Sequence, residues 1–217
     1  MKIRNCLLIL YVLITASCAS IDTNKVAPGY FQAFNAIQQL ISGNESTIDK
    51  ELIQNIPYAS ILVRIGKGPE ALMILEKKIG EELTWVSADG IYIVTNKGKI
   101  IQTHGLSNNL SEKISLIDGG EILKRDEIFH SYYSFKNPTL NNLKISSRYT
   151  YVETKEIKLK FGIKKLRLIE EKISSDEVGW YETNEYWLDD SNYVWKSVQS
   201  ISPKLPKIFI EVTKKPR

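Results

Sequence analysis

At 217 residues the chain has the length of one ordinary domain, and at 43% hydrophobic it carries enough apolar material for a sizeable core. Its formal charge of +4 comes from lysines, arginines and acids that alternate along the chain without a block of one sign, which gives nucleic-acid binding no footing. Two histidines, neither with a cysteine or carboxylate at ligand spacing, are too few for a multi-histidine metal site, and no cofactor motif is present.

The chain opens with Lys2 and Arg4, an almost wholly apolar run from Cys6 to Ile14, and the small residues Thr15-Ala16-Ser17 before Cys18. That is the layout of a secretory signal, too short for a membrane span of ~20 residues. Small residues leading into a cysteine resemble the bacterial lipobox. There the thiol is diacylated, the chain is cut before the cysteine, and the new amino group is acylated; Thr15 stands where the lipobox has Leu. Removing residues 1–17 takes Cys6 with it and leaves Cys18 alone, so no intramolecular disulfide can form, and Lys2 and Arg4 leave a net charge of +2. Lipidation of Cys18 accounts for a lone cysteine in an exported protein, and several acyl chains at ~0.8 kcal/mol per buried CH₂ anchor it firmly. Ala19 follows the cysteine in place of the Asp that retains lipoproteins at the inner membrane. The expected address is therefore the periplasmic face of the outer membrane.

Residues 18–29 are polar, end on Pro28-Gly29, and read as a tether to a single β-rich domain over 30–217. Tyr30, Phe31, Phe34, Ile37, Leu40 and Ile41 recur at helical spacing and predict an amphipathic helix stopped by Gly43; a second, short helix covers Asp49 to Gln54. From Ala59 onward the pattern is β. Runs at 60–65, 71–77, 83–87, 91–95 and 99–103 are separated by Gly66-Lys67-Gly68-Pro69, Ala88-Asp89-Gly90 and Asn96-Lys97-Gly98. Such short connections leave no room for crossover helices, so the strands pair antiparallel. Residues 106–126 look like a loose excursion or lid. Beyond them Tyr149, Tyr151, Ile157, Leu159, Phe161 and Ile163 share one parity, and further strands are expected at 166–173, 179–188, 193–201 and 208–213, with a hairpin turn at Asp189–Asn192. Long strands coil and twist, so the fold class is mainly β: a curved antiparallel sheet or half-barrel with an N-terminal amphipathic helix.

Catalytic machinery is hard to find. There is no G-x-S-x-G elbow, no P-loop and no dinucleotide fingerprint. Paired carboxylates are the route left to an enzyme, as in glycosidases, and Glu153, Glu171, Glu182, Glu185, Asp189 and Asp190 supply the residue type. Glu182 and Glu185 differ in strand parity, Asp189 and Asp190 sit in a turn, and the set reads as a solvated face. The aromatics are more suggestive. Trp180, Tyr181, Tyr186, Trp187, Tyr193 and Trp195 crowd one hairpin on both faces, which one core cannot absorb. Trp187 or Trp195 is expected beside the main cavity, as a glycan, lipid or partner contact.

Trp85-Val86-Ser87-Ala88-Asp89, then Thr95-Asn96-Lys97-Gly98-Lys99-Ile100, then Thr103-His104-Gly105-Leu106, resemble the group 4 capsule polysaccharide lipoproteins of the GfcB/YjbF type. In that pattern a Trp-x-Ser-x-Asp strand end is followed by Thr-x-x-Gly-Arg-Ile and a Thr-x-Gly-Leu turn; Lys99 stands where the pattern has Arg. With Tyr193-Val194-Trp195-Lys196-Ser197, Pro203 and Lys215-Pro216, the resemblance spans nearly the whole chain. It implies an outer-membrane lipoprotein that assists export or assembly of a capsule or exopolysaccharide, with polysaccharide-export proteins or glycan as partners. It brings no catalytic residues, so no enzyme is expected, and Trp85, Ser87, Asp89, Thr95, Gly98, Thr103 and Gly105 enter as structural or contact residues. Two rivals stand beside it: a half-barrel carrier of lipid or lipoprotein, which needs an empty apolar slot, and a glycan-modifying enzyme, which needs two facing carboxylates.

Overall fold

In the computed structural model the described residues from Ser60 onward are mainly β-strand. The described residues are Ile48, 50–115 and 127–217; Cys18, the tether and the helix expected over 30–41 lie outside them. A helix α1 (Lys50–Asn55) buries Ile53 and stops before Pro57, whose ring disfavours a helical residue ahead of it. Twelve strands follow: β1 (Ser60–Ile65), β2 (Glu70–Ile79), β3 (Glu82–Ser87), β4 (Tyr92–Asn96), β5 (Lys99–His104), β6 (Asn109–Ser115), β7 (Phe129–Lys136), β8 (Leu140–Leu159), β9 (Gly162–Ser175), β10 (Trp180–Leu188), β11 (Val194–Gln199) and β12 (Ile208–Lys214).

They form one sheet in the order β5-β4-β3-β2-β1-β12-β11-β10-β9-β8-β7-β6, every neighbour antiparallel. This is an up-and-down meander in which the last strand returns to pair with the first, leaving β5 and β6 as the two edges. The result is a nearly closed, barrel-like sheet. The Leu110 N–H donates to Thr103 Oγ1 at 2.9 Å across the open seam, so a side chain stands in for the missing ladder there. The β5 edge also bends inward. Ile100 N–H donates to the Gln199 amide oxygen on β11 at 2.9 Å, and the same amide donates to Gly98 O at 2.9 Å.

That inward crossing fills the barrel. Trp85, Ile93, Ile100, Tyr133, Ile145, Trp180 and Ile210 form the central core, with Tyr133 and Trp180 edge to face at 6.2 Å. These side chains pack the interior, and at one end of the barrel Ile61, Trp85, Ile210 and Val212 of the same core border an opening.

Two expectations need correction. Residues 109–115, read as part of a loose excursion, form the edge strand β6 paired to β7; Leu110 is fully buried but its neighbours alternate poorly, so the local pattern concealed the strand. The shared parity of Tyr149 through Ile163 also fails as a single buried face. The register shifts between Tyr151 and Glu153, which leaves Tyr149 buried but Tyr151 exposed, and Ile163 lies exposed beside the hairpin tip. Past that shift the β8–β9 hairpin folds over β10. Leu159, Leu166 and Leu168 cover Trp187, while Tyr186, its neighbour in the strand, points into the barrel with Ile169 and Leu188. Aromatics on both faces of β10 are buried because each face has its own core; Tyr181, 64% exposed, belongs to neither.

Candidate functional site

The residues that carry the sequence motif hold turns and the seam. Trp85 is buried on β3, and its indole N–H donates to Thr95 Oγ1 on β4 at 2.9 Å. Ser87 Oγ hydrogen-bonds Asp89 and accepts the Ile91 N–H at 3.0 Å, while Gly90 N–H closes onto Ser87 O at 3.1 Å, which shapes the β3–β4 turn. Thr103 ties the seam, and Gly105 sits at φ +88°, where a Cβ would lie 3.3 Å from Ile91 Cα. Gly98 closes the β4–β5 hairpin after Lys97; both have positive φ, the geometry of a type I′ turn.

Inside the barrel stands a charged centre that sequence spacing did not reveal. Glu171 on β9, 2% exposed, was read as part of a solvated face; it points inward because it shares parity with Ile169 and Ile173. Its Oε1 accepts the Tyr149 hydroxyl, and its Oε2 accepts Tyr186 O–H at 2.7 Å and Asn184 Nδ2 at 3.0 Å. Lys99 donates to Tyr149 Oη at 2.5 Å and lies 4.0 Å from Glu171 Oε1, so a Lys–Tyr–Glu relay joins β5 to β8 and β9. Burial would push the Glu171 carboxyl up, but Lys99, Lys113 and the hydrogen bonds from Asn184 and Tyr149 outweigh it and hold it at about 2. Burial brings the Lys99 ammonium down to about 8, with Glu171 opposing the shift.

These directions fix an acid limb. A carboxyl held below its ordinary 4.5 contributes stability that is fully present above that value and is lost as pH falls towards about 2. Equilibrium denaturation is expected to lose about 3 kcal/mol between these limits through this group. Glu171→Gln should flatten that limb; an unchanged acid limb in the variant would remove the assignment.

Both Glu171 oxygens are engaged within the protein, and of the other candidate acids Asp189, Glu182 and Glu153 also have partners. Asp189 accepts Ser191 N–H at 2.9 Å, Ser191 O–H at 2.6 Å, Tyr193 N–H at 3.0 Å and Trp195 Nε1–H at 2.7 Å; Glu182 pairs with Lys207 at 3.0 Å. Such carboxylates hold turns and strands in place.

A groove of about 440 Å³ opens where the β2–β3, β4–β5 and β10–β11 turns meet the end of β12. It brings together Trp85, Thr95 and Gly98 from the motif with Tyr193 and Trp195 from β11 and the turn before it. Trp195 occupies the bulge between the Trp187–Lys196 and Leu188–Val194 pairs, which turns it to the groove rim; Trp187 stays beneath the β8–β9 hairpin. Ser87, Asp89, Thr103 and Gly105 lie away from the groove lining. The basic residues of this groove went unread in the sequence, since Lys78, Lys97, Lys196 and Lys215 are far apart in the chain and only the fold gathers them.

Comparison with known proteins gives a consistent picture. The model of the group 4 capsule polysaccharide lipoproteins GfcB and YjbF matches residues 32–213. The Escherichia coli K12 lipoprotein YjbF is 25% identical over 157 residues, covering 68% of this chain and 71% of that protein. Lipoprotein GfcB from the same organism is 22% identical over 198 residues, 87% of each. The crystal structure of the hypothetical lipoprotein YmcC, also from Escherichia coli K12, matches with a TM-score of 0.71 at 18% identity, over 85% of this chain and 96% of that one, and so shares the fold.

Proposed function

We propose that this chain, which belongs to the group 4 capsule polysaccharide lipoprotein family, is held by lipid on Cys18 at the periplasmic face of the outer membrane. There it assists export or assembly of a capsule or exopolysaccharide through contacts with glycan or export proteins, without catalysing a reaction. The observation that carries this reading is the family match over residues 32–213, which begins past the signal and the cysteine. Two structural facts support a contact role. The strands share a packed side-chain core, and the buried Glu171 and the turn residue Asp189 are engaged by hydrogen bonds within the protein. Deleting the gene should lower the amount of polysaccharide at the cell surface, and restoring it should recover the yield; unchanged export would remove the role.

The anchor has its own test. Mass spectrometry of membrane-extracted protein should find an acylated N-terminal peptide beginning at Cys18, and Cys18→Ala should release the protein into the periplasmic fraction. An unmodified N-terminus at another residue would end the lipoprotein reading for this chain.

A further inference from the structure

Resting on that polysaccharide role, we infer that the groove binds an acidic glycan, a chain of sugars bearing carboxylates. Four lysines and one acid, Glu81, line the groove, an excess of three positive charges, whereas the whole chain after loss of residues 1–17 carries only +2. The positive charge of the domain is therefore gathered at this opening, and an anionic ligand is drawn to it.

The state of those ammonium groups sharpens the inference. Lys78 donates to Arg217 O at 3.1 Å at the chain terminus, so part of its charge is used. Among the described residues, Lys97, Lys196 and Lys215 make no ion pair with a carboxylate. Two of them rest on aromatic rings: Lys215 lies 4.2 Å over Tyr193, and Lys196 lies 5.4 Å over Trp187. Lys164 on β9, outside the groove lining, lies 3.9 Å over Trp195 and is likewise unpaired among these residues. A cation–π contact at a half-exposed site is worth only about 0.5–1 kcal/mol, so these cations can be re-partnered at small cost. Asp189, the acid nearest the rings, is saturated by four hydrogen bonds and does not compete for them.

Shape selects the class of anion. The opening lies within the ~300–1,000 Å³ typical of small-ligand clefts and is concave, which suits a few sugar units better than a flat bilayer surface. Its wall offers the edge-to-face pair Tyr193–Trp195, centroids 5.3 Å apart, and the indole is fixed in orientation by its hydrogen bond to Asp189. Rigid rings beside unpaired ammonium groups match a ligand that alternates apolar ring faces with carboxylates.

The full-length protein in detergent, titrated with oligogalacturonate, is expected to bind it and to ignore neutral cello-oligosaccharide of the same length. The triple variant K97Q/K196Q/K215Q should weaken binding by roughly tenfold, a few tenths to one kcal/mol per exposed pair, while melting as the parent does. The control K158Q/K165Q, on exposed positions of the β8–β9 hairpin, should bind like the parent. Absence of binding, equal binding of the neutral glycan, an equal loss in the control, or preference for phosphatidylglycerol vesicles over oligogalacturonate would each overturn the inference. Its failure is separable from failure of the polysaccharide role. A gene deletion that lowers surface polysaccharide while the purified protein ignores oligogalacturonate leaves the role and removes the acidic ligand. A deletion without effect removes the role itself.

Discussion

Glu171→Gln is expected to lower unfolding stability at pH 7 by about 3–5 kcal/mol, the cost of stripping one partner from a buried ionic cluster. The loss leaves Lys99 facing Tyr149 and a neutral amide, with Lys113 nearby and its charge uncompensated. In a domain of this length the melting temperature should fall by about 10 °C. The size of the effect comes from the number of groups that converge on one β9 carboxylate: two hydroxyls, one amide and a lysine relay, drawn from β5, β8 and β10. A second measurement separates this account from mere intolerance of the site. Lys99→Met removes the charge that Glu171 balances, so the double variant should be less destabilised than the sum of the single variants, by at least ~1 kcal/mol. Thermal melting of all three proteins reads the coupling. A Glu171→Gln variant within ~0.5 kcal/mol of the parent would show that the cluster contributes little to the fold.

Gly98→Ala should cost about 2–6 kcal/mol, far more than a glycine-to-alanine change at a neutral loop site. Two physical terms add. The residue sits at φ +81°, where an L side chain carries strain of ~1–3 kcal/mol. A Cβ there would also lie 2.4 Å from Val194 Cβ and 2.6 Å from its Cγ2, and overpacking adds ~1–3 kcal/mol. Val194 is buried with Tyr186 and Leu188, and the Gly98 carbonyl is held by Gln199, so neither side can move freely. Gly98→Ala combined with Val194→Ala should therefore recover the steric part and leave the strain. If Gly98→Ala unfolds with the midpoint and slope of the parent, the turn does not press on β11 as the distances indicate.

These two positions differ in how far the sequence reached them. Gly98 is legible: Asn96-Lys97-Gly98 between two apolar runs predicts a tight hairpin, and the structure adds only what the glycine presses against. Glu171 is not. In Leu166-Arg167-Leu168-Ile169-Glu170-Glu171-Lys172-Ile173, adjacent apolar residues and adjacent acids make the inward face ambiguous, and both parities are defensible. Pairing with β8 and β10 decides it, because it sets Glu171 opposite Tyr149 and Asn184 inside the barrel. The same holds for β6, where one buried leucine among polar neighbours carries too little signal, and for the register shift at Tyr151, which no local pattern announces.

What the sequence determined by itself is local in origin: the strands and their turns, the antiparallel pairing forced by short connections, the curved sheet, and the family resemblance carried by an ordered set of turn motifs. The strands, turns and pairing depend on residues within about ten positions of one another, where alternation, glycine and proline act directly on the backbone, and the resemblance on the order of such short motifs. The tertiary structure alone decided that β12 returns to β1, that the β5 edge turns inward to fill the barrel, and that Lys78, Lys97, Lys196 and Lys215 surround one groove. Those outcomes rest on contacts between residues as far apart as Gly98 and Gln199, and on a balance of burial against charge that exists only once the strands have met.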